Sequence, residues 1–132
     1  MADGIGSRGK VLLMDDEQII LDVTLEVLQF LGYEVRFARD GTEAIDLYTR
    51  EKAAGQPFDV VILDLSVPGG MGGREAIGKL KEVDPAVKAI VSSGFTNDPC
   101  VQDFPAFGFS GKLAKPYKIQ DMKALLEDLI KK

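Results

Sequence analysis

An α/β domain built on a doubly wound, parallel five-stranded sheet is the fold class this sequence predicts. Three observations lead to it. Short β-branched or aliphatic runs alternate with segments of helical periodicity along the chain. Two of these runs, residues 11–14 and 60–63, contain no polar residue, as expected of strands buried on both faces. Both end in acid, the first in Asp15-Asp16-Glu17 and the second in Asp64. The carboxyl end of a strand is where an open α/β sheet presents its chemistry.

Taken in order, residues 1–8, with Gly4, Gly6 and Ser7, read as a flexible leader or interdomain linker, and residues 9–132 as one domain. The first strand is expected at 10–14. Over residues 17–31, Ile20, Val23, Val27 and Leu31 recur at helical spacing, with Asp16 as N-cap and Gly32 as the stop. A short second strand follows at 33–38. Asp40 and Glu43 have the spacing of a capping box, opening a helix through Ala44, Ile45, Leu47 and Tyr48 to about Glu51. The third strand is expected at 58–63. Glycine-rich residues 69–73 lead into a helix around 74–83, which Asp84-Pro85 ends. A fourth strand at 86–91 runs into Ser92-Ser93-Gly94. Pro99 and Pro105 allow only a short helix over 96–104. Residues 107–114 hold a fifth strand, followed by Lys115-Pro116. The last helix, 118–132, turns Ile119, Met122, Leu126 and Leu129 inward and sets Lys131 and Lys132 at its C-terminal dipole.

Right-handed crossovers and this βαβαβαβαβα alternation favour the flavodoxin-like strand order 2-1-3-4-5. Strands one and three are then neighbours, and Asp15, Asp16 and Asp64 converge.

Composition narrows the function. A net charge of −5 argues against direct contact with nucleic acid or an anionic membrane. Cys100 is the single cysteine, so no internal disulfide can form, and a reducing, cytoplasmic setting is expected. No apolar run approaches a membrane span. The chain has no histidine, which excludes a Ser-His triad, the usual zinc sites and a phosphohistidine on this chain itself.

Three crowded carboxylates must take up protons or hold a cation. Oxygen-only ligands suit magnesium, and magnesium in an open crevice suggests phosphoryl chemistry. The ion would screen an incoming phosphoryl group and leave Asp64 free to attack. Ser93 adds a hydroxyl after strand four and Lys115 an ammonium after strand five, with Gly94 permitting close backbone approach. Cation, hydroxyl and ammonium complement the three oxygens of an acyl phosphate. Each residue alone has a plainer reading: Asp15 and Asp16 as helix caps, Asp64 as a turn cap, Ser93 as a loop serine, Lys115 as a solvated lysine. The set outweighs these. Gly69 to Gly73 and Gly108 to Lys112 lack P-loop spacing and read as turns, and Cys100 as an ordinary thiol.

Asp15-Asp16-Glu17, Asp64 followed by Pro68-Gly69, Ser93-Gly94 and Lys115-Pro116 together resemble the CheY-like receiver domain of two-component signalling, over residues 9–132. The resemblance implies Asp64 as phosphoacceptor and Asp16 as a direct magnesium ligand, with Asp15 acting mainly through water. It implies the Ser66 backbone carbonyl as a further ligand, Ser93 as the switch hydroxyl and Lys115 as partner of a phosphoryl oxygen. It also implies a cis bond between Lys115 and Pro116. The expected partner is a histidine kinase or a histidine phosphotransfer domain. The chemistry is self-phosphorylation and autodephosphorylation, not turnover of a separate substrate. One position departs from the family pattern: Lys112 stands where a Tyr or Phe commonly precedes the lysine by three residues. Output then runs through the loop near Ser93 and Phe95, or the domain is a relay. Residues 67–73 are similar to receivers attached to hybrid sensor histidine kinases, which favours the relay. Alternatives are a free-standing response regulator acting by protein contact, and a magnesium-dependent aspartyl-nucleophile phosphatase similar to the haloacid dehalogenase superfamily. The latter needs a second acid two residues after the nucleophile, where this chain has Ser66. A degenerate, metal-free receiver conflicts with the intact acids. A homodimer through the last helix is compatible with the sequence.

Overall fold

The computed structural model describes residues 8–94 and 97–130. Five strands, β1 (Lys10–Met14), β2 (Glu34–Ala38), β3 (Val60–Asp64), β4 (Ala89–Ser93) and β5 (Gly111–Ala114), form one sheet. Every pairing is parallel and the order is β2-β1-β3-β4-β5, as the alternation predicts. The helices are α1 (Gln18–Phe30), α2 (Gly41–Ala53), α3 (Gly73–Val83), α4 (Pro99–Gln102) and α5 (Ile119–Ile130), with a 3-10 turn at Phe104–Phe107.

All residues of β1, β3 and β4 are buried, and their alternation divides them between two cores. Leu12, Met14, Val61, Leu63 and Val91 pack with Tyr48 of α2, Ile77 and Leu80 of α3 and Val101 of α4. Val11, Leu13, Val60, Ile62 and Ile90 pack with Leu21 and Leu28 of α1 and Met122 and Leu126 of α5. The sheet is thus covered on both faces. At the β5 edge Leu113 is buried, whereas Lys112 and Ala114 are exposed, because the four-residue α4 does not extend over them.

At the end of the sheet remote from the acids, Lys10 is buried and its ammonium meets Glu51 and the Gln56 carbonyl, over the Phe58 ring. This pairs the buried Lys10 charge and ties β1 to the end of α2.

Local signals explain most boundaries. Asp40 accepts the Glu43 N–H at 2.9 Å, and Glu43 accepts the Arg39 N–H, so the expected cap of α2 is present, with the return bond one residue early. Gly32 adopts φ +99° directly after the Leu31 C-cap of α1. β4 begins at Ala89 and not at residue 86, because Asp84 closes a turn by accepting the Ala86 N–H and Val87 N–H on its side chain and carbonyl. β3 likewise begins at Val60, while Asp59 is occupied in accepting the Lys10 N–H.

Three expectations are corrected. Asp16 does not cap α1: Glu17 holds the N-cap place, and its N–H donates to Asp15 Oδ1 at 2.9 Å. The buried stripe of α1 is Leu21, Thr24 and Leu28, while Val23 is 57% exposed and Ile20, Val27 and Leu31 are half-buried. Two apolar stripes run along this helix, and periodicity does not say which one faces the sheet. The short turn at 15–17 fixes the phase. Ile119 is 50% exposed, since the first turn of α5 projects beyond the sheet, while Met122 and Leu126 are fully buried. Residues 1–7 of the expected leader, Phe95, Thr96, Lys131 and Lys132 lie outside the described residues. Arg8 is held, donating its N–H to the Gly32 carbonyl and its guanidinium to Glu127.

The phase of α1 is open to test. Leu28→Ala should destabilise the domain by about 2–5 kcal/mol, whereas Val23→Ala should cost less than about 1 kcal/mol. Urea unfolding of the two variants measures this, and equal costs would contradict the observed packing.

Candidate functional site

The adjacency of β1 and β3 places the residues after Met14 beside the end of β3. Asp15 is fully buried: one oxygen accepts the Glu17 N–H, and the other accepts Lys115 Nζ at 2.6 Å. Asp64 closes β3 at 5% exposure, with Oδ1 3.2 Å from the same Nζ and a further bond from the Ser66 backbone N–H. Asp16 is half-buried beside them, and one oxygen from each of the three carboxylates lies within 4.8 Å of the others. Ser93, at the end of β4, is buried, and the Lys115-Pro116 bond is cis.

These groups open into one cleft of ≈ 380 Å³, lined by Asp16, Glu17, Asp64, Ser66, Pro68, Ser93, Gly94 and Lys115. Where a Cβ would be, Gly94 faces open space. The loop beside the cleft is pinned at Gly72, whose backbone lies against the Leu65 carbonyl oxygen so closely that any side chain would collide with it. A larger cavity, ≈ 510 Å³, runs along β5 and α5 between Val101, Lys112, Leu113, Asp121 and Leu125. It is mainly apolar and holds no cluster of titratable groups, so the chemistry lies in the smaller cleft.

Electrostatics follow from burial. Asp64 is pushed up to about 6, chiefly by desolvation and further by the charge of Asp15, with Lys115 opposing. Burial acts against the Lys115 ammonium, but its hydrogen bond to Asp15 and the charge of Asp64 outweigh this and raise its pKa. Near pH 7 the site therefore carries three carboxylates against one ammonium. The excess negative charge and a donor set of oxygens alone fit a hard cation such as magnesium, for which Asp15, Asp16 and Asp64 are the available carboxylates.

Asp15, Asp16, Asp64, Ser66, Ser93 and Lys115, all singled out in the sequence, are thus brought together. Lys112 is elsewhere, exposed on β5 and facing the larger cavity. Sequence reasoning missed the pairing of Tyr117 with Ser92, hydroxyl to hydroxyl. Burial pushes the Tyr117 phenol up to about 12, so it stays protonated. A pair of hydroxyls 25 residues apart leaves no local signature.

The family model of the response regulator receiver domain matches residues 11–127. Sporulation initiation phosphotransferase F of Bacillus subtilis is 29% identical over 123 residues, covering 93% of this chain and 91% of that protein. Sensor kinase CckA of Brucella abortus is 28% identical over 131 residues, covering 99% of this chain and 13% of that much longer protein. Among solved structures, the receiver domain of sensor histidine kinase PA1611 from Pseudomonas aeruginosa, which has a magnesium ion in its active-site cleft, has the same fold. Its TM-score is 0.82 at 23% identity, over 94% of this chain and 98% of that one.

Because the folded chain holds the Asp64 proton up to about pH 6, the stability this group lends is fully present below about pH 4 and is lost as pH rises through about 6. Asp64→Asn should therefore stabilise the magnesium-free protein near pH 7 by about 1–3 kcal/mol, and the gain should vanish near pH 4. Urea unfolding at both pH values measures it. A variant no more stable than the wild type near pH 7 would contradict the burial of an incompletely compensated carboxylate.

Proposed function

Since residues 11–127 match its model, this chain belongs to the response regulator receiver domain family, and we propose that Asp64 is its phosphoacceptor. The observation that carries this reading is the bridge of Lys115 between buried Asp15 and Asp64, at the mouth of a cleft that also holds Asp16 and Ser93. A lysine placed this way keeps a buried carboxylate ionised and oriented until a phosphoryl group arrives.

These residues include no histidine, so the phosphoryl group comes from a phosphohistidine outside them, on a histidine kinase or a histidine phosphotransfer domain. An Asp64 oxygen attacks phosphorus, the P–N bond breaks, and the electron pair leaves with the imidazole. Lys115 Nζ, 3.2 Å from Asp64, passes to a phosphoryl oxygen, and the Ser93 hydroxyl takes another. Asp16, Asp64 and the Ser66 carbonyl are the proposed magnesium ligands, with Asp15 acting through water. When bound, magnesium offsets the mutual repulsion of carboxylates and phosphoryl group. Hydrolysis of the acyl phosphate by water returns Asp64 to its starting state.

Ile19 and Val23 of α1 and Ile119 at the start of α5 are exposed apolar residues, at 76%, 57% and 50%. They suit docking by an amphipathic helix of the phosphodonor. Among the described residues no helix is long and apolar enough to cross a membrane; the proposed setting is the cytoplasm, as a relay domain or as part of a sensor kinase. The likeness to a sporulation phosphotransferase and to a sensor kinase supports the relay. The phosphatase alternative lacks an acid at Ser66, two residues after Asp64, to protonate a leaving group.

Incubation with acetyl phosphate and magnesium should add one phosphoryl group to the wild-type protein, read by intact mass. EDTA should prevent the addition and Asp64→Asn should abolish it. An adduct that persists in Asp64→Asn would place the acceptor elsewhere.

A further inference from the structure

The Ser92-Ser93 end of β4 is bonded in three directions. The Ser92 carbonyl accepts the N–H of Leu65, the residue after Asp64, at 2.9 Å, and the Ser93 carbonyl accepts the Lys115 N–H at 3.0 Å. In register, Ser92 sits beside Asp64 on one side and Leu113 on the other. Successive strand side chains face opposite ways. Ser93 therefore lines the phosphoryl cleft, while the fully buried Ser92 turns to the α1–α5 face, where its hydroxyl meets that of Tyr117. Tyr117 lies two residues after Lys115 and lines a separate apolar groove of ≈ 150 Å³ with Ile20, Val23, Pro116 and Ile119.

We infer that Tyr117 is a positioning residue that couples the phosphoryl cleft to the apolar groove between α1 and the start of α5. The hydroxyl of the half-buried Tyr117 is partnered by that of the fully buried Ser92, so Ser93 cannot shift in the cleft without Ser92 carrying or releasing Tyr117. The ring forms part of the groove wall, so the groove changes shape with the state of Asp64. On the opposite face of β5 no described side chain offers an equivalent link: Lys112 and Ala114 point outward and carry no ring. This inference rests on Asp64 being the phosphoacceptor.

The experiment combines intact mass with amide hydrogen exchange of residues 23–27 in α1. The wild type, Tyr117→Phe, Ser92→Ala and the double variant are each compared with magnesium alone and with magnesium plus acetyl phosphate. All four should form the adduct, since acetyl phosphate needs no docking. Phosphorylation should change exchange in α1 several-fold in the wild type, and each single variant should lose most of that response. The double variant should lose no more than either single, because both remove the same bond. A full response in either single variant would overturn the inference, as would a phosphorylated wild type with unchanged exchange. Absence of the adduct from the wild type would be a different failure, removing the phosphoacceptor reading and this inference with it. Tyr117→Phe keeps the ring and Ser92→Ala leaves the ring untouched, so either variant alone decides the outcome if the other does not fold.

Discussion

Lys115 lies between two carboxylates that are withdrawn from water, 2.6 Å from Asp15 and 3.2 Å from Asp64. Two like charges about 4 Å apart repel by about 4 kcal/mol at an effective dielectric of about 20. That is a large part of the roughly 5–15 kcal/mol that holds a domain folded. One ammonium cannot balance three carboxylates, and burial adds to the cost by raising the Asp64 pKa, with the charge of Asp15 contributing and Lys115 opposing. The fold maintains this imbalance by fixing the acids on rigid strand ends, with Asp15 further locked by the Glu17 N–H. A site of this kind is prepared for a cation and then for an anion, which is the order the proposed chemistry requires.

Topology makes the arrangement possible. Residues 15, 64, 93 and 115 are far apart in the chain, yet each follows or ends a strand, and the order β2-β1-β3-β4-β5 places those ends in one row. Because every strand is parallel, all four carboxyl ends lie at the same edge of the sheet. The helices on the two faces diverge there, which leaves the crevice between β1 and β3 open. At the opposite end, Lys10 is enclosed by Glu51, Gln56 and Phe58 with its charge satisfied. The contrast between a neutralised end and an end with excess charge separates the supporting part of the sheet from its reactive part.

Much of this was legible in the sequence, for identifiable reasons. Unbroken runs such as Val60 to Leu63 mark strands because no polar side chain can be tolerated on either face. Asp40 and Glu43 mark a helix start because the cap is a local hydrogen-bond pattern. Asp15 and Asp64 were readable because like charges at neighbouring strand ends need a common explanation, and Lys115 because an ammonium after the fifth strand complements them. Features set by tertiary context were not readable. Periodicity in α1 supported two stripes, and only packing selects Leu21 and Leu28 over Val23. Asp16 has the composition of a cap, but Glu17 takes the N-cap place without a side-chain cap bond, and Asp16 lines the cleft. Ile119 has the spacing of a core residue, and its exposure follows from where the sheet ends. Ser92 and Tyr117 meet only because β4 and the segment after β5 lie side by side.

The central claim is that the three carboxylates form one divalent-cation site whose charge Asp64 controls. Magnesium affinity as a function of pH, measured by titration calorimetry on the intact protein and on Asp16→Asn, tests it most directly. The account predicts that affinity weakens by about tenfold per pH unit once Asp64 begins to take up its proton near about 6, and that Asp16→Asn weakens binding throughout. Affinity that is independent of pH and unchanged in Asp16→Asn would place the ion elsewhere and contradict the account.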